Sequence, residues 1–201
     1  MVIHCETVIL SVLNDVYGAC DRCEISILAM LDMSAAFDTV DHELLLEKLK
    51  CFGFDGEILE WLRIYLTGRS HSTTVEGSTS ETLSLPMGVP QGSVLGPLLF
   101  TIYIRDLQEL MQRCGIKYHV YADDIQLLIH VKPPEFTEGV TKIEHCIKEI
   151  GRWTSNKYLQ LNPSKTEFII FGTKEQIAKI PSDSLAVDGN FFLFKKVVRN
   201  L

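Results

Sequence analysis

The chain has 201 residues, with 19 Lys and Arg against 26 Asp and Glu, a formal net charge of −7. At about 150 residues per domain this is one domain, or one with an appendage, long enough to hide roughly 70% of its unfolded surface. With 46% hydrophobic and 22% charged residues it is not a disordered chain, and the acidic balance argues against a bare electrostatic nucleic-acid binder.

Ile9, Val12, Leu13, Val16 and Tyr17 recur at helical spacing, and Gly18 is expected to end that helix. Ile25 to Leu31 reads as a buried strand. Asp41 can cap a helix through Phe52, and a second helix runs from Asp55 to Leu66 on Ile58, Leu59, Leu62 and Leu66. His71 to Val75 and Thr82 to Leu85 look like a hairpin around Glu76-Gly77-Ser78. A loop with Pro86, Gly88, Pro90 and Gly92 leads into one long helix, Val94 to Arg113. Two strands follow, Ile116 to Tyr121 and Ile125 to Val131, joined by Ala122-Asp123-Asp124. A helix from Thr137 to Tyr158 presents Ile143, Ile147, Ile150 and Trp153, and Thr166 to Phe171 alternates as a strand. Residues 173–201 read as less regular, with Phe191 to Phe194 apolar.

The longest mostly apolar run, Val94 to Ile104, is broken by Gly96, Pro97 and Thr101, whereas a membrane-spanning helix needs about 20 apolar residues. No Lys or Arg precedes Cys20, so the N-terminal stretch does not read as a signal peptide. Six cysteines are too sparse for a disulfide scaffold, and Cys20-x-x-Cys23 has no second pair to complete a zinc site. The expectation is an intracellular protein with reduced thiols, in nucleus or cytoplasm.

Without the inserted helices and hairpin the order is strand, helix, strand, strand, helix, strand: a split β-α-β, ferredoxin-like arrangement, α+β in class, with an antiparallel sheet and helices on one face. The first and third strands lie side by side at the centre of such a sheet. The end of strand 25–31 then meets the turn at 122–124, and Asp32, Asp123 and Asp124 converge at one edge. Carboxylates brought that close repel, and a divalent cation with oxygen ligands, Mg²⁺ or Mn²⁺, is the natural compensation. Two ions about 3.5–4 Å apart form a clamp for phosphoryl transfer. A bare Asp-Asp pair is by itself more often a polar hairpin turn.

Four segments carry a resemblance: L-D-M-S-A-A-F-D-T-V-D-H at 31–42, G-V-P-Q-G-S-V-L-G-P-L-L-F at 88–100, Y-A-D-D at 121–124 and L-N-P-S-K-T-E-F-I-I-F at 161–171. In order and spacing they resemble the reverse transcriptases of non-LTR (LINE-type) retrotransposons, over about residues 4–172. The resemblance implies the palm of a right-hand polymerase, with RNA template, DNA primer and deoxynucleoside triphosphates as its partners. It implies that Asp32, the Met33 carbonyl, Asp123 and Asp124 hold two Mg²⁺ (or Mn²⁺). Met33, Ser34, Ala35, Ala36 and Phe37 would offer backbone N–H groups to a triphosphate, as a nest does. Phe37 would fill the space of a ribose 2′-hydroxyl, Gln91, Gly92 and Tyr121 would line the nucleotide and template site, and Lys165 would touch the triphosphate or protonate pyrophosphate. Core packing is the plain alternative for Phe37, and a solvated surface position for Lys165. Asp38, Asp41 and His42 receive no chemistry, and Arg63, Arg69 and Arg105 read as surface residues.

Against the family pattern the chain reads as one incomplete domain, with palm motifs at 24–172. His4 to Leu10 match a segment just before the first catalytic motif, so fingers are expected to be almost wholly missing. Val187-Asp188-Gly189 and Lys196 to Leu201 look like the approach to a primer-gripping hairpin, without a complete grip or thumb. An acidic palm alone should bind primer-template poorly, because phosphate contacts dominate such affinity. Little or no activity in isolation is therefore expected. The competing reading is a non-catalytic remnant or palm-like binding module. A group II intron or telomerase-type enzyme is disfavoured by the LINE-like wording of 31–42 and 88–100.

Overall fold

The computed structural model describes residues 5–198, and side chains from Val8 onward. His4 and residues 199–201, which enter the expectations above, lie outside the described residues. In chain order the elements are α1 (Cys5–Asp21), β1 (Ile25–Leu31), β2 (Met33–Ser34), α2 (His42–Cys51), α3 (Gly56–Leu66), β3 (Arg69–His71), β4 (Thr74–Val75), β5 (Ser78–Thr79) and β6 (Leu83–Leu85). Then come α4 (Gly96–Tyr103), α5 (Arg105–Cys114), β7 (Lys117–Tyr121), β8 (Asp124–Val131), α6 (Phe136–Ser155), β9 (Gln160–Leu161), β10 (Glu167–Gly172), α7 (Lys174–Ile177), β11 (Ser184–Val187) and β12 (Asn190–Val198). Two compact units emerge. The first takes the chain up to Met33, Leu107–Trp153 and from Leu161 on; the second takes Ser34–Asp106 and Thr154–Gln160.

The first unit is built on a six-stranded sheet in the order β11-β12-β10-β1-β8-β7. β1 is antiparallel to β8 and β10, and β8 to β7, so β1 and β7 run parallel. The inner four strands are the expected split β-α-β arrangement, with first and third strands adjacent. β1 is buried along nearly its whole length because both of its faces are covered. On one face Val8, Val12, Val16 and Cys20 of α1 meet Leu28 and Leu128, flanked by Met30, Ile169 and Phe171. Each such fully buried aliphatic side chain stabilises by about 1.5–3 kcal/mol. On the other face Val131 presses on α6 so closely that a Cβ on Gly139 would lie 2.7 Å from its Cγ1. Helices therefore cover both faces rather than one: α1 is amphipathic and the Leu28–Leu128 face is apolar, so each needs the other.

Two further expectations change in this unit. α1 runs past Gly18 to Asp21, since one glycine costs a helix only about 1 kcal/mol. The stretch after residue 173 is ordered. Thr173 caps α7 with a capping box, and β11 and β12 form a hairpin whose Asp188 and Gly189 have φ of 47° and 80°. β12 then pairs parallel to β10 and adds two strands to the sheet. An Asp-Gly pair between apolar strands is the hairpin signal that marks this turn.

The second unit packs α2 against α3 and α4. Asp41 caps α2 as expected, its carboxylate accepting the Leu44 N–H at 2.8 Å, and Asp55 caps α3. The expected single hairpin is two nested ones. β4 and β5 close on a two-residue Glu76-Gly77 turn, and β3 pairs with β6 outside them. The expected long helix is broken at Ile104 into α4 and α5. Two groups hold the break. The Lys48 ammonium donates to the Tyr103 carbonyl and to Asp106, and the buried Tyr103 hydroxyl donates to the Lys157 carbonyl at 2.7 Å. With its carbonyl taken by a cation, Tyr103 does not continue the helical ladder.

Candidate active site

β1 ends at Leu31, which stands opposite Ile125 of β8. One step further along the same register brings Asp32 beside Asp124, the first residue of β8. Asp124 in turn pairs with Tyr121, so the β7–β8 turn is only Ala122-Asp123. Ala122 has φ of 52°, a left-handed conformation that L side chains rarely adopt. Such a conformation costs about 1–3 kcal/mol and recurs at functional sites. The turn thus carries one carboxylate at its tip and one at its exit, both against the end of the central strand.

Asp32 is mostly covered, with 17% of its side chain exposed. Its backbone carbonyl accepts the Asn162 N–H at 2.8 Å, and its Oδ2 takes the Asn162 amide at 3.4 Å. Lys165 places its ammonium 3.2 Å from the same Oδ2. Asn162 accepts from the Ser164 N–H and hydroxyl at 3.1 and 2.7 Å, and its carbonyl accepts the Thr166 hydroxyl at 2.9 Å. It folds the 162–166 turn so that Lys165 returns to Asp32. Sequence reasoning gave Asn162 no role; an Asn-Pro pair signals a turn, but not what the turn grips.

Asp124 is held above the ordinary carboxylate range, first by partial burial, then by the charges of Asp123 and Asp32, with Lys165 opposing. The three acids therefore sense one another. As the side chains stand, no three His, Cys, Asp or Glu groups among the described residues are gathered tightly enough to hold a metal ion. The donors are carboxylate oxygens without sulfur or imidazole, repelling one another, and the Lys165 ammonium is the cation now at Asp32. Such a donor set fits a hard divalent ion. Beside Asp124 lies a cavity of about 210 Å³ lined also by Val8, Ile9, His119, Tyr121 and Gln126. The His119 Nε2 is buried without a hydrogen-bond partner among the described residues, and burial holds that ring's pKa down.

Met33, buried next to Asp32 in the chain, and Tyr121 belong to the first unit; Ser34 to Phe37, Gln91 and Gly92 lie in the second. Ala35 has φ of 48°, and its carbonyl accepts the Asp38 N–H at 2.9 Å, which turns residues 34–38 tightly. Phe37 is half-buried, with its ring 4.8 Å from that of the buried Phe100. The Phe37 carbonyl accepts the Val89 N–H, and the Val40 carbonyl accepts the Gly88 N–H. Gln91, exposed like Gly92, donates its amide to Asp38 at 2.9 Å. Three residues given no chemistry hold this loop. The buried His42 ring donates from Nε2 to the Gly88 carbonyl at 2.8 Å, Arg69 donates to it at 3.1 Å, and Asp38 orients Gln91. Arg63 is a surface residue, as expected, paired with Glu43 and Glu60.

A protein-family comparison matches residues 13–187 to the reverse transcriptase (RNA-dependent DNA polymerase) family. The chain belongs to the reverse transcriptase family. Among curated reverse transcriptase relatives, a probable RNA-directed DNA polymerase from transposon BS of Drosophila melanogaster is 34% identical over 146 residues, covering 68% of this chain and 15% of its own. The RNA-directed DNA polymerase from mobile element jockey of Drosophila funebris is 28% identical over 165 residues, covering 80% of this chain and 18% of its own. These relatives bear out the LINE-type resemblance, and this chain spans less than a fifth of their length. Among solved structures, apo telomerase from Candida tropicalis superposes with a TM-score of 0.62 at 16% identity, over 96% of this chain and 39% of that one. Telomerase from Candida albicans gives 0.60 at 14% identity, over 90% and 32%. At such identities the likeness shows a shared fold, an α+β sheet consistent with a polymerase palm. The reverse transcriptase family depends on divalent metal. No helix of the described residues is long and apolar enough to cross a membrane.

Proposed function

We propose that this chain is the palm of an RNA-directed DNA polymerase of a LINE-type element, transferring a nucleotide from a deoxynucleoside triphosphate to a primer 3′-hydroxyl on an RNA template. One observation carries the reading: the Leu31–Ile125 register, which sets Asp32 at the end of β1 against the turn bearing Asp123 and Asp124. Asp32, Asp123 and Asp124, with the Met33 carbonyl, would hold two Mg²⁺, with Mn²⁺ as substitute. Bound there, the metals would lower the pKa of the attacking hydroxyl and neutralise charge on the leaving oxygen.

The chain's own residues do the rest. Asn162 fixes Asp32 at both its carbonyl and its carboxylate. Lys165, a point charge 66% exposed, reaches a triphosphate oxygen and gives its proton to departing pyrophosphate. Backbone N–H groups of residues 33–37 bind triphosphate oxygens, and the Phe37 ring, braced by Phe100, denies space to a 2′-hydroxyl. Gln91, aimed by Asp38, with Gly92 and Tyr121, contacts nucleotide and template. A net charge of −7 gives the palm itself little grip on primer-template, so activity of the chain alone would be low.

The test is primer extension on an RNA template with Mg²⁺ or Mn²⁺, run with this chain and with a longer reading frame containing it, beside Asp123→Asn. The reading requires metal-dependent extension that Asp123→Asn abolishes. Equal extension by the variant, or none by the longer frame, sinks it. Phe37→Ala should then raise ribonucleotide incorporation.

A further inference from the structure

At the opposite end of β1 from Asp32 lies a cavity of about 650 Å³, lined by residues that the polymerase reading does not use. The end of α1 contributes Cys20, the turn after it Arg22 and Cys23, and the exit of β8 Lys132, Pro133 and Pro134. The α7 segment adds Thr173, Glu175, Gln176 and Lys179. β1 is seven residues long, so this cavity and the carboxylates stand about 20 Å apart. Whatever binds in one is not in the other.

Its chemistry is specific in three respects. Arg22, Lys132 and Lys179 converge on one cavity in a chain that is acidic overall. Arg22 is engaged with Glu24 at 2.9 Å, whereas Lys132 and Lys179 form no ion pair within bonding distance among the described residues. Those two ammonium groups are available to an anion. The Pro133 and Pro134 rings add a rigid apolar surface on which a flat ring can lie. Glu175 is held ionised, below the ordinary carboxylate range, by backbone hydrogen bonding and the Thr173 hydroxyl. An ionised carboxylate beside two lysines repels a simple anion but accepts hydrogen bonds from N–H donors.

We propose that this cavity is a second nucleotide-binding site, which takes a nucleoside phosphate either free or as one residue of an RNA strand. That ligand class answers all three features. Its phosphate pairs with Lys132 and Lys179, its base lies on the prolines, and an exocyclic amino group donates to Glu175. An acidic peptide would satisfy the lysines, but only a nucleoside phosphate carries the phosphate, the flat ring and the exocyclic amino donor in one unit.

The test measures binding of two probes to the full chain in EDTA, which removes metal-dependent binding at the carboxylates. One probe is a fluorescent ATP analogue; the other is a short fluorescein-labelled single-stranded RNA. At least one should bind saturably, about tenfold more weakly to Lys132→Glu/Lys179→Glu, and with unchanged affinity to Lys50→Glu/Lys148→Glu, which carries the same charge change at exposed positions away from the cavity. RNA binding that weakens steeply with salt, without ATP binding, assigns the site to a strand; comparable ATP binding assigns it to free nucleotide. If the charge-reversed protein loses its native circular dichroism, Lys132→Gln/Lys179→Gln is judged by the same criterion. The proposal is overturned if neither probe saturates, or if binding is indifferent to both pairs of substitutions at Lys132 and Lys179. Its failure leaves the polymerase reading intact, since that is judged by extension and Asp123.

Discussion

The Lys165 ammonium stands 3.2 Å from Asp32 Oδ2, tying the loop before β10 to the end of β1. The lysine therefore occupies the charge-neutralising place beside Asp32 and must yield part of it when a divalent ion binds. Lys165→Ala should lower the rate of nucleotide addition about a hundredfold, the scale of one lost proton donor, with a smaller change in KM for the triphosphate. Lys165→Arg keeps the charge but not the transferable proton, and should rescue binding more than rate. Steady-state extension kinetics on the three proteins check this; a full rate in Lys165→Ala removes the role.

Asp124 titrates above its ordinary value because partial burial and two neighbouring carboxylates disfavour its charge. The folded state then holds the proton more tightly than the unfolded state does. The ionised group is thus a liability once pH rises through the folded pKa, and no liability below the unfolded one, near 3.9. Asp124→Asn should melt slightly higher than the parent at neutral pH without metal, by a few tenths of a kcal/mol given solvent screening, and lose that advantage in acid. A thermal melt at two pH values checks the sign; primer extension by the same variant should be abolished.

His130 behaves oppositely. Its Nδ1 lies 2.8 Å from the fully buried Ser26 hydroxyl, beneath α1, and burial lowers its pKa. Asp15 on α1 and Glu24 favour its charged form, while Arg22 and Lys117 on β7 oppose it. A lowered folded pKa means that the unfolded chain takes the proton first. Stability should therefore fall as pH drops below about 6.5, levelling off below the folded value. Urea midpoints between neutral pH and about pH 5.5 should show the loss, smaller in His130→Gln.

Gly88 has φ of +89°, and a Cβ there would lie 2.8 Å from the Asp38 carbonyl oxygen. Neither neighbour can retreat, because the Gly88 N–H bonds Val40 and its carbonyl is held by His42 and Arg69. Gly88→Ala should destabilise by about 1–3 kcal/mol, read as a lowered melting temperature. An unchanged melt would show that the loop relaxes freely.

The strand order of the inner sheet was readable because a tight turn between two strands and helical crossovers elsewhere leave few arrangements. That logic alone brings Asp32 to Asp123 and Asp124. What was not readable depends on partners distant in the chain. The break at Ile104 needs Lys48, 55 residues before the carbonyl it takes. The grip of Asn162 on Asp32 spans 130 residues, and the motif glycine at 88 owes its place to a backbone 50 residues earlier. β12 was missed for a different reason. A parallel partner such as β10 leaves no local signature, although Asp188-Gly189 announced the turn before it.

The mutual repulsion of Asp32, Asp123 and Asp124 also sets sturdiness against chemistry at one spot. Gly88 serves the loop geometry alone. A carboxylate that titrates above its ordinary value weakens the fold that holds it, and a cation bound there offsets the cost. Thermal stability and divalent-ion concentration are therefore linked in this chain, the melting point rising as the ion saturates the acids.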